Sequence, residues 1–204
     1  MKAVMISIRP EWCEKIASGE KTVEVRKTRT KIEPPFKCYI YCTKDKEKLW
    51  VSRGSERAFT REKIAAICQA KDVGGAYQGN GKVIGEFMCD VVITAEHGRY
   101  VVLNSHDTQI ESLDLCDYAD GKTVYGWNIS ELVIYDKPKR LSEFYSEGDC
   151  DCMNCRKCAW FDAGNGYNVE ADCNLAYKGI RDKKTYKPII RPPQSWCYVE
   201  EVTP

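Results

Sequence analysis

The first part of the chain alternates between apolar and polar residues in a way that predicts a strand, a short helix and a second strand. Apolar residues dominate positions 3–8, which predicts the first strand. Pro10 suits the first turn of a helix and Gly19 the position just past its end, so residues 10–18 are predicted to be helical. Residues 22–27 then alternate, with two valines on one face and threonine, glutamate and arginine on the other. A strand with one polar face is what a cleft requires when its polar groups converge.

The remainder of the first 145 residues is mostly strand-like. Further strands are predicted at residues 38–43, 82–94, 126–128 and 132–135, and a last short helix at residues 141–145. Residues 44–80 look like an insertion that is rich in Lys and Glu and contains a short helix around residues 61–68. The order of elements, β-α-β and then mostly β, favours a small, largely antiparallel β-barrel with helices at its rim over a doubly wound parallel fold.

Composition places the chain among globular proteins. It has 204 residues, of which 43% are hydrophobic and 30% charged. No apolar run approaches the ~20 residues that a membrane helix needs. The apolar run at the start is too short for the core of a signal peptide and has no small-residue cleavage site after it. We therefore expect a cytoplasmic protein with no membrane partner.

Charge is distributed unevenly along the chain. Residues 21–53 carry ten Lys or Arg and four Asp or Glu, whereas residues 86–120 carry one Arg and eight Asp or Glu. The basic segment could form a face that binds phosphates. Alternatively, the two segments neutralise each other in the folded protein.

Cysteine is the most unusual feature of the composition, with twelve residues. Six are scattered over the first two-thirds, four of them in apolar or alternating stretches where cysteine behaves as a small buried hydrophobe. The other six crowd the last quarter, where few aliphatic residues surround them. A segment of that composition buries too little apolar surface to order itself, so a metal must supply the folding energy. We therefore divide the chain into a domain at residues 1–145 and a cysteine-rich metal-binding module at residues 146–204.

The spacing of Cys155 and Cys158, with two residues between them, is that of a zinc knuckle. We predict a structural Zn²⁺ held by four thiolates, from Cys155, Cys158, Cys173 and Cys197. Cys150 and Cys152 are substitutes for two of these ligands, or a redox pair. An iron–sulfur cluster, or free or oxidised thiols without metal, are the alternatives.

The sequence Gly-Glu-Lys-Thr-Val-Glu-Val-Arg at residues 19–26 resembles the signature of the ASCH domain family. That signature is a short helix that ends in Gly-x-Lys, followed by a strand with Glu-x-Arg. The segments at 38–44, 81–87, 125–127 and 132–135 look like later strands of the same family. The resemblance covers residues 1–145, with 44–80 as an insertion, and implies a PUA-like β-barrel. The end of the tail, residues 191–200, resembles phage-type members.

The resemblance implies a cleft that binds RNA or a modified nucleoside. Some members of the family hydrolyse N4-acetylcytidine with a lysine, a threonine three residues later and a distant glutamate. Lys21 matches the lysine, Glu24 stands in the place of the threonine, and Glu86 is a candidate for the distant glutamate. These three residues are the catalytic candidates. Lys21 and Glu24 could form a proton-transfer pair if burial lowers the pKa of the lysine, or a plain ion pair that stabilises the strand.

Five further residues are candidates for ligand binding: Arg9, Thr22, Arg26, Lys27 and Trp127. The basic side chains could hold a phosphate, and Trp127 could stack on a base or belong to the core. Binding of RNA or a modified nucleoside is the leading interpretation. An amidohydrolase that acts on an N-acylated base such as N4-acetylcytidine is the second, and a protein-interaction module that uses the zinc knuckle is the third.

Overall fold

The computed structural model describes residues 2–52, 58–59, 76–148 and 185–201. Three short helices occur in this part of the chain: α1 (Pro10–Ala17), α2 (Ser105–Thr108) and α3 (Ser112–Ala119), with 3-10 turns at Tyr100–Val102 and Leu141–Glu143. The strands are β1 (Lys2–Ile8), β2 (Val23–Arg26), β3 (Phe36–Cys42), β4 (Trp50–Ser52), β5 (Ala58–Phe59), β6 (Ala76–Gln78), β7 (Lys82–Cys89), β8 (Val92–Ala95), β9 (Val124–Asn128), β10 (Ser130–Lys139), β11 (Tyr145–Gly148), β12 (Thr185–Pro188) and β13 (Trp196–Glu200).

The main sheet has five strands in the order β10-β7-β3-β1-β13. β1 runs parallel to β3, and every other pair in this sheet is antiparallel. β1 is buried on both faces, because Val4 and Ile6 belong to one apolar cluster while Ala3 and Met5 belong to another. A continuous apolar run is the pattern of a strand that is covered on both sides.

A second sheet, in the order β2-β9-β8, carries the polar strand predicted at residues 22–27. Its valines, Val23 and Val25, pack with Leu115 of α3 in a third apolar cluster. Gly126 of β9 lies so close to Val23 and Leu103 that any side chain there would displace them. The second sheet therefore depends on glycine at this position for its close contact with the helical segment.

The remaining described strands form a three-stranded sheet, β5-β4-β6, and the two-stranded sheet β11-β12. The architecture of the described residues is therefore mixed α+β, with mostly antiparallel sheets and few helices. The described strands are divided among four sheets, and the closed barrel stays a prediction from the sequence.

The first predicted elements agree closely with the structure. The predicted strand at 3–8, helix at 10–18 and strand at 22–27 correspond to β1, α1 and β2. Gly19 has φ 77°, the left-handed conformation expected of a glycine just past a helix end.

Later elements differ from the prediction. The single segment predicted at 82–94 is two strands, β7 and β8, which are separated by Asp90 and Val91. The helix predicted at 141–145 is a 3-10 turn that leads into β11. The sequence pattern missed α2 and α3, because their few apolar positions make too short a stripe to be recognised as helical.

Both ends of the predicted cysteine-rich module lie in strands. β11 pairs with β12, and Gly148 is directly opposite Thr185 in that pair. β13 pairs with β1 in the main sheet. Residues 149–184, together with the helix predicted at 61–68, lie outside the described residues.

Four of the scattered cysteines are buried, as their apolar surroundings predicted: Cys13, Cys38, Cys42 and Cys89. Burial raises the pKa of Cys13 and Cys38 well above the ordinary value, and that of Cys89 to about 12. No helix in the described residues is long and apolar enough to cross a membrane.

Candidate functional site: a charged cleft at strand β2

A cavity of about 790 Å³ opens beside β2. Lys21, Glu24 and Arg26 line it from β2 and the turn before it, and Trp12 lines it from α1. Tyr118 of α3 also belongs to its lining. The alternating strand and the Gly-x-Lys turn thus bring their polar residues into one cleft.

Three side chains of the motif form one ionic group. The Nζ of Lys21 lies 3.5 Å from Oε2 of Glu24, and Nη2 of Arg26 lies 2.9 Å from Oε1 of the same carboxylate. The side chains are 1%, 8% and 12% exposed respectively. Lys21 and Arg26 therefore contact different oxygens of Glu24, at the edge of the cavity and largely out of water.

Burial and polar contacts act in opposite directions on the charge of Lys21. Its ammonium donates a hydrogen bond to the backbone oxygen of Thr108 and lies 5.1 Å from the centre of the Trp12 ring. Burial lowers the pKa of Lys21 below its usual 10.5, and the nearby carboxylate of Glu24 acts in the opposite direction. Lys21 therefore gives up its proton more easily than an exposed lysine does.

Arg26 is held in place by Ser7 of β1, which in turn contacts the segment before β13. Its Nη2 donates to the backbone oxygen of Ser7 at 2.7 Å. Ser7 in turn donates through its N–H to Ser195 at 2.9 Å and through its hydroxyl to Pro193 at 2.6 Å. Gln194, which lies between those two residues, lines the cavity. The segment that leads into β13 therefore forms part of the cleft.

Aromatic and basic residues pair at the rim. Nζ of Lys27 lies 4.9 Å from the centre of the Tyr118 ring, and Nζ of Lys15 lies 5.1 Å from that of Trp12. Both distances are in the range of a cation–π contact. Burial raises the pKa of the Tyr118 phenol, so it stays neutral and able to donate a hydrogen bond.

The lining of the cavity carries both signs of charge. Besides the ionic group at β2, it includes the basic residues Arg9, Lys15 and Lys44 and the acidic residues Glu11, Asp45, Glu111 and Asp114. The acidic segment at 86–120 and the basic segment at 21–53 thus meet across the same cleft. This arrangement favours partial neutralisation over a uniformly basic face.

Two of the expected site residues lie elsewhere. Glu86 is on β7, where it accepts a hydrogen bond from the Tyr135 hydroxyl and pairs with Lys37 at 3.2 Å, and it does not line the cleft. Trp127 is 0% exposed and packs edge-on against Phe36 with ring centres 5.5 Å apart. Trp127 is a core residue in this structure, because β9 directs its ring into the main apolar cluster.

The other expected ligand-binding residues lie at or near the cleft. Arg9 lines it and is exposed, with its guanidinium 3.8 Å from Glu11. Lys27 is exposed and reaches the rim through Tyr118. Thr22 lies just before β2, where its backbone N–H donates to Asp107 at 2.9 Å and anchors α2 to the sheet.

Several lining residues were not predicted from the sequence. Trp12 lies in α1, just before the motif at residues 19–26, and the turn at Gly19 brings its ring next to the lysine. Tyr118 and Gln109 come from the helical segment that the periodicity missed, and Ser7 and Gln194 are brought together only by the pairing of β1 with β13. No local pattern connects residues so far apart along the chain.

The cysteines predicted to bind metal do not line the cleft in the part of the chain that the structure describes. Within the described residues, no group of three or more His, Cys, Asp or Glu side chains could hold a metal ion. Cys197 is half-buried on β13 opposite Met5, and burial raises the pKa of its thiol to about 11. The other predicted ligands, Cys155, Cys158 and Cys173, and the substitutes Cys150 and Cys152, lie outside the described residues.

The fold and the cleft define a small α+β domain in which a helix–turn–strand motif presents a lysine, a glutamate and an arginine to one cavity. The family model of the ASCH domain matches residues 6–160, and the chain therefore belongs to the ASCH domain family.

Solved structures of an ASCH protein from Zymomonas mobilis share the fold. The unmodified protein is 14% identical in sequence, with a TM-score of 0.51 over 98% of this chain and 88% of that one. Two mutants of the same protein give TM-scores of 0.50 and 0.51 at 14% identity, over 98% of this chain and 92% and 89% of theirs. At this identity the similarity concerns the fold alone. No match is found among curated protein sequences.

Proposed function

We propose that this protein binds RNA or a modified nucleoside in the cleft beside β2. The observation that carries the proposal is the convergence of Lys21, Glu24 and Arg26 with the rings of Trp12 and Tyr118 around one cavity. Its volume of about 790 Å³ lies within the roughly 300–1,000 Å³ of small-ligand sites. Aromatic rings next to arginine and lysine are a frequent arrangement for unpaired bases and their phosphates.

Because the lining carries both signs of charge, we expect the affinity for RNA to depend only weakly on salt. A uniformly basic groove attracts any polyanion, whereas the lining of this cleft includes carboxylates as well as basic residues. We therefore expect few phosphate contacts and a correspondingly shallow dependence on salt, about −0.7 in log K against log salt for each phosphate contact of a single strand. Recognition would depend mainly on the nucleoside inside the cleft.

Fluorescence anisotropy with labelled single-stranded RNA, and calorimetry with nucleosides, test this proposal. Arg26→Ala should weaken binding by at least about tenfold, because it removes a buried cation whose contribution is not screened by solvent. Arg99→Ala is the matched control: it removes the same charge from an exposed position outside the cavity and should have little effect. If neither RNA nor any nucleoside binds at low salt, the proposal is wrong.

An amidohydrolase that acts on an N-acylated base is the second candidate. It is favoured by the lowered pKa of Lys21 and by the contact of its ammonium with Glu24, which together form a pair able to exchange a proton. Glu24 stands where the resemblance expects a threonine, and Glu86 is outside the cleft. Release of acetate from N4-acetylcytidine by the wild-type protein but not by Lys21→Ala would support hydrolysis. A lack of turnover over a panel of acylated nucleosides would leave binding alone.

Structural zinc remains a proposal for the cysteine-rich segment. The zinc-knuckle spacing of Cys155 and Cys158 supports it, with Cys173 as a third ligand. Cys197 is the predicted fourth ligand, with Cys150 and Cys152 as its substitutes. The resemblance of the tail to phage-type members remains a prediction, as does the use of a zinc knuckle to contact a protein partner.

A further inference from the structure

The ionic group formed by Lys21, Glu24 and Arg26 places hydrogen-bond donors on either side of an acceptor. Lys21 contacts Oε2 of Glu24 and Arg26 contacts Oε1, so the carboxylate is flanked by a cation on each side. Lysine and arginine only donate hydrogen bonds, and an ionised carboxylate only accepts them. All three residues line the same cavity. A ligand in the cleft therefore meets a donor, an acceptor and a donor in sequence.

Each member of the group retains capacity for a ligand. The Lys21 ammonium has three N–H groups: two are used for Thr108 and Glu24, and the ammonium also lies 5.1 Å from the centre of the Trp12 ring. Each carboxylate oxygen of Glu24 has a second lone pair. Nη2 of Arg26 is taken by Ser7 and Glu24, and Nη1 is not part of those contacts. The group can thus add one hydrogen bond at each of its three positions.

We propose that the cleft selects the imide edge of uracil-type bases, in which an N–H lies between two carbonyl groups. This inference rests on the proposed function, since it names the base class that the same cleft accepts. The imide edge presents acceptor, donor and acceptor, which complements the order of Lys21, Glu24 and Arg26. Its N–H points at the carboxylate, and its two oxygens point at the cations.

The other bases match the group less well. Cytosine presents a donor followed by two acceptors, so its ring nitrogen would face the carboxylate as a second acceptor. Guanine presents an acceptor followed by two donors, so its amino group would face a cation. Adenine has an amino donor and one ring acceptor on this edge. In a largely buried site, a mismatched donor or acceptor loses its water without gaining a partner, so the discrimination should be large.

Discrimination between uridine and its close analogues tests the inference on the wild-type protein. Calorimetry should show that uridine binds at least about tenfold more tightly than cytidine, and that 3-methyluridine, in which a methyl group replaces the imide hydrogen, loses this advantage. Homopolymers of about eight nucleotides, a length within the usual site size, should rank in the same order. Equal affinity for uridine and cytidine, or for uridine and 3-methyluridine, would overturn the inference.

A pair of variants tests the role of the carboxylate. Glu24→Gln should reduce the preference for uridine over cytidine to less than about threefold, because an amide offers both a donor and an acceptor. Glu96→Gln, which changes an exposed carboxylate outside the cavity, should keep the preference. Thermal melting of both variants shows whether they fold. If Glu24→Gln does not fold, the comparison of uridine with 3-methyluridine on the wild-type protein decides whether the inference holds. Binding without base preference refutes only the uracil inference, whereas no binding by any RNA or nucleoside refutes the proposed function as well.

Discussion

Lys21 is a charged side chain that is almost wholly removed from water. Burial of an isolated ammonium is costly, and the protein compensates with the carboxylate of Glu24, the backbone oxygen of Thr108 and the face of Trp12. Glu24 is shared, since Arg26 uses its other oxygen. The stability of this corner of the fold therefore depends on one carboxylate.

Glu24→Gln should destabilise the protein strongly. It leaves two buried cations next to each other without their common counter-charge, and removal of one partner from a buried pair costs about 3–5 kcal/mol. We expect a loss at the lower end of that range, about 3 kcal/mol, because the amide oxygen can still accept one hydrogen bond. Chemical denaturation followed by tryptophan fluorescence measures this loss.

Glu33→Gln is the control for that measurement. Glu33 pairs with Arg29 at 3.2 Å, but its side chain is 81% exposed, so the pair is screened by solvent. The substitution should leave the free energy of unfolding nearly unchanged. Similar losses for the two variants would contradict the importance that we assign to burial of the Lys21–Glu24–Arg26 group.

The lowered pKa of Lys21 predicts a pH dependence of stability. In the folded protein Lys21 loses its proton at a lower pH than in the unfolded chain, where the pKa is close to 10.5. Between those two values the unfolded chain holds more protons, so the free energy of unfolding rises with pH. The difference in stability between wild type and Lys21→Met should therefore shift in favour of wild type as the pH approaches 10.5. A difference that is constant, or that falls with pH, would contradict this prediction.

At the scale of elements, the decisive feature is the position of the last strands. β13 pairs with β1 in the main sheet, although 190 positions separate the directly opposed residues Ile6 and Trp196. β11 and β12 pair directly, with Gly148 opposite Thr185. Residues 149–184 therefore connect two adjacent antiparallel strands, and the strands at the end of the chain belong with the first ones.

This arrangement predicts that residues 149–184 can be replaced by an Asn-Gly turn. A two-residue turn joins directly paired antiparallel residues, and Asn-Gly is the preferred sequence for it. The shortened protein should fold and keep its affinity for the ligand of the cleft, since none of the residues that line the cavity is removed. Circular dichroism and the binding assays above check this.

Truncation after residue 160 is the contrasting variant. That position is the end of the family match, yet the cut removes β13 and with it the carbonyl groups of Pro193 and Ser195 that hold Ser7. β1 would lose its antiparallel partner and become an exposed edge. We expect an insoluble or molten product, and a cooperative thermal transition of the truncated chain would contradict our description of the sheet.

At the scale of the whole molecule, the cysteine-rich segment and the cleft are predicted to be independent. The full chain should contain about one zinc ion, and the variant with the Asn-Gly turn should contain none, although it retains Cys197. Zinc affinity should fall as the pH drops below neutrality, because thiolates must lose their protons to bind. Elemental analysis of both proteins decides this: zinc in the shortened variant, or no metal in the full chain, would contradict the prediction. Bound iron with visible absorbance would indicate a cluster instead.

Part of the site could be predicted from local sequence. The turn at Gly19 and the alternation that follows it bring Lys21, Glu24 and Arg26 to one region, because a glycine in the left-handed conformation and a period of two are local properties of the backbone. The apolar run that forms β1 and the burial of the four scattered cysteines could be predicted on the same basis, since apolar residues avoid water wherever they stand.

Only the tertiary structure decided which distant residues complete the cleft and which predicted residues leave it. Glu86 and Trp127 have sequence contexts compatible with a site, but the sheet directs one to Lys37 and the other into the core. Tyr118 reaches the cleft because α3 packs on the second sheet, and Gln194 because β13 pairs with β1 at the edge of the main sheet. The physical reason is that the sequence pattern of an element specifies which face is apolar, whereas its neighbours depend on how all the apolar faces pack together.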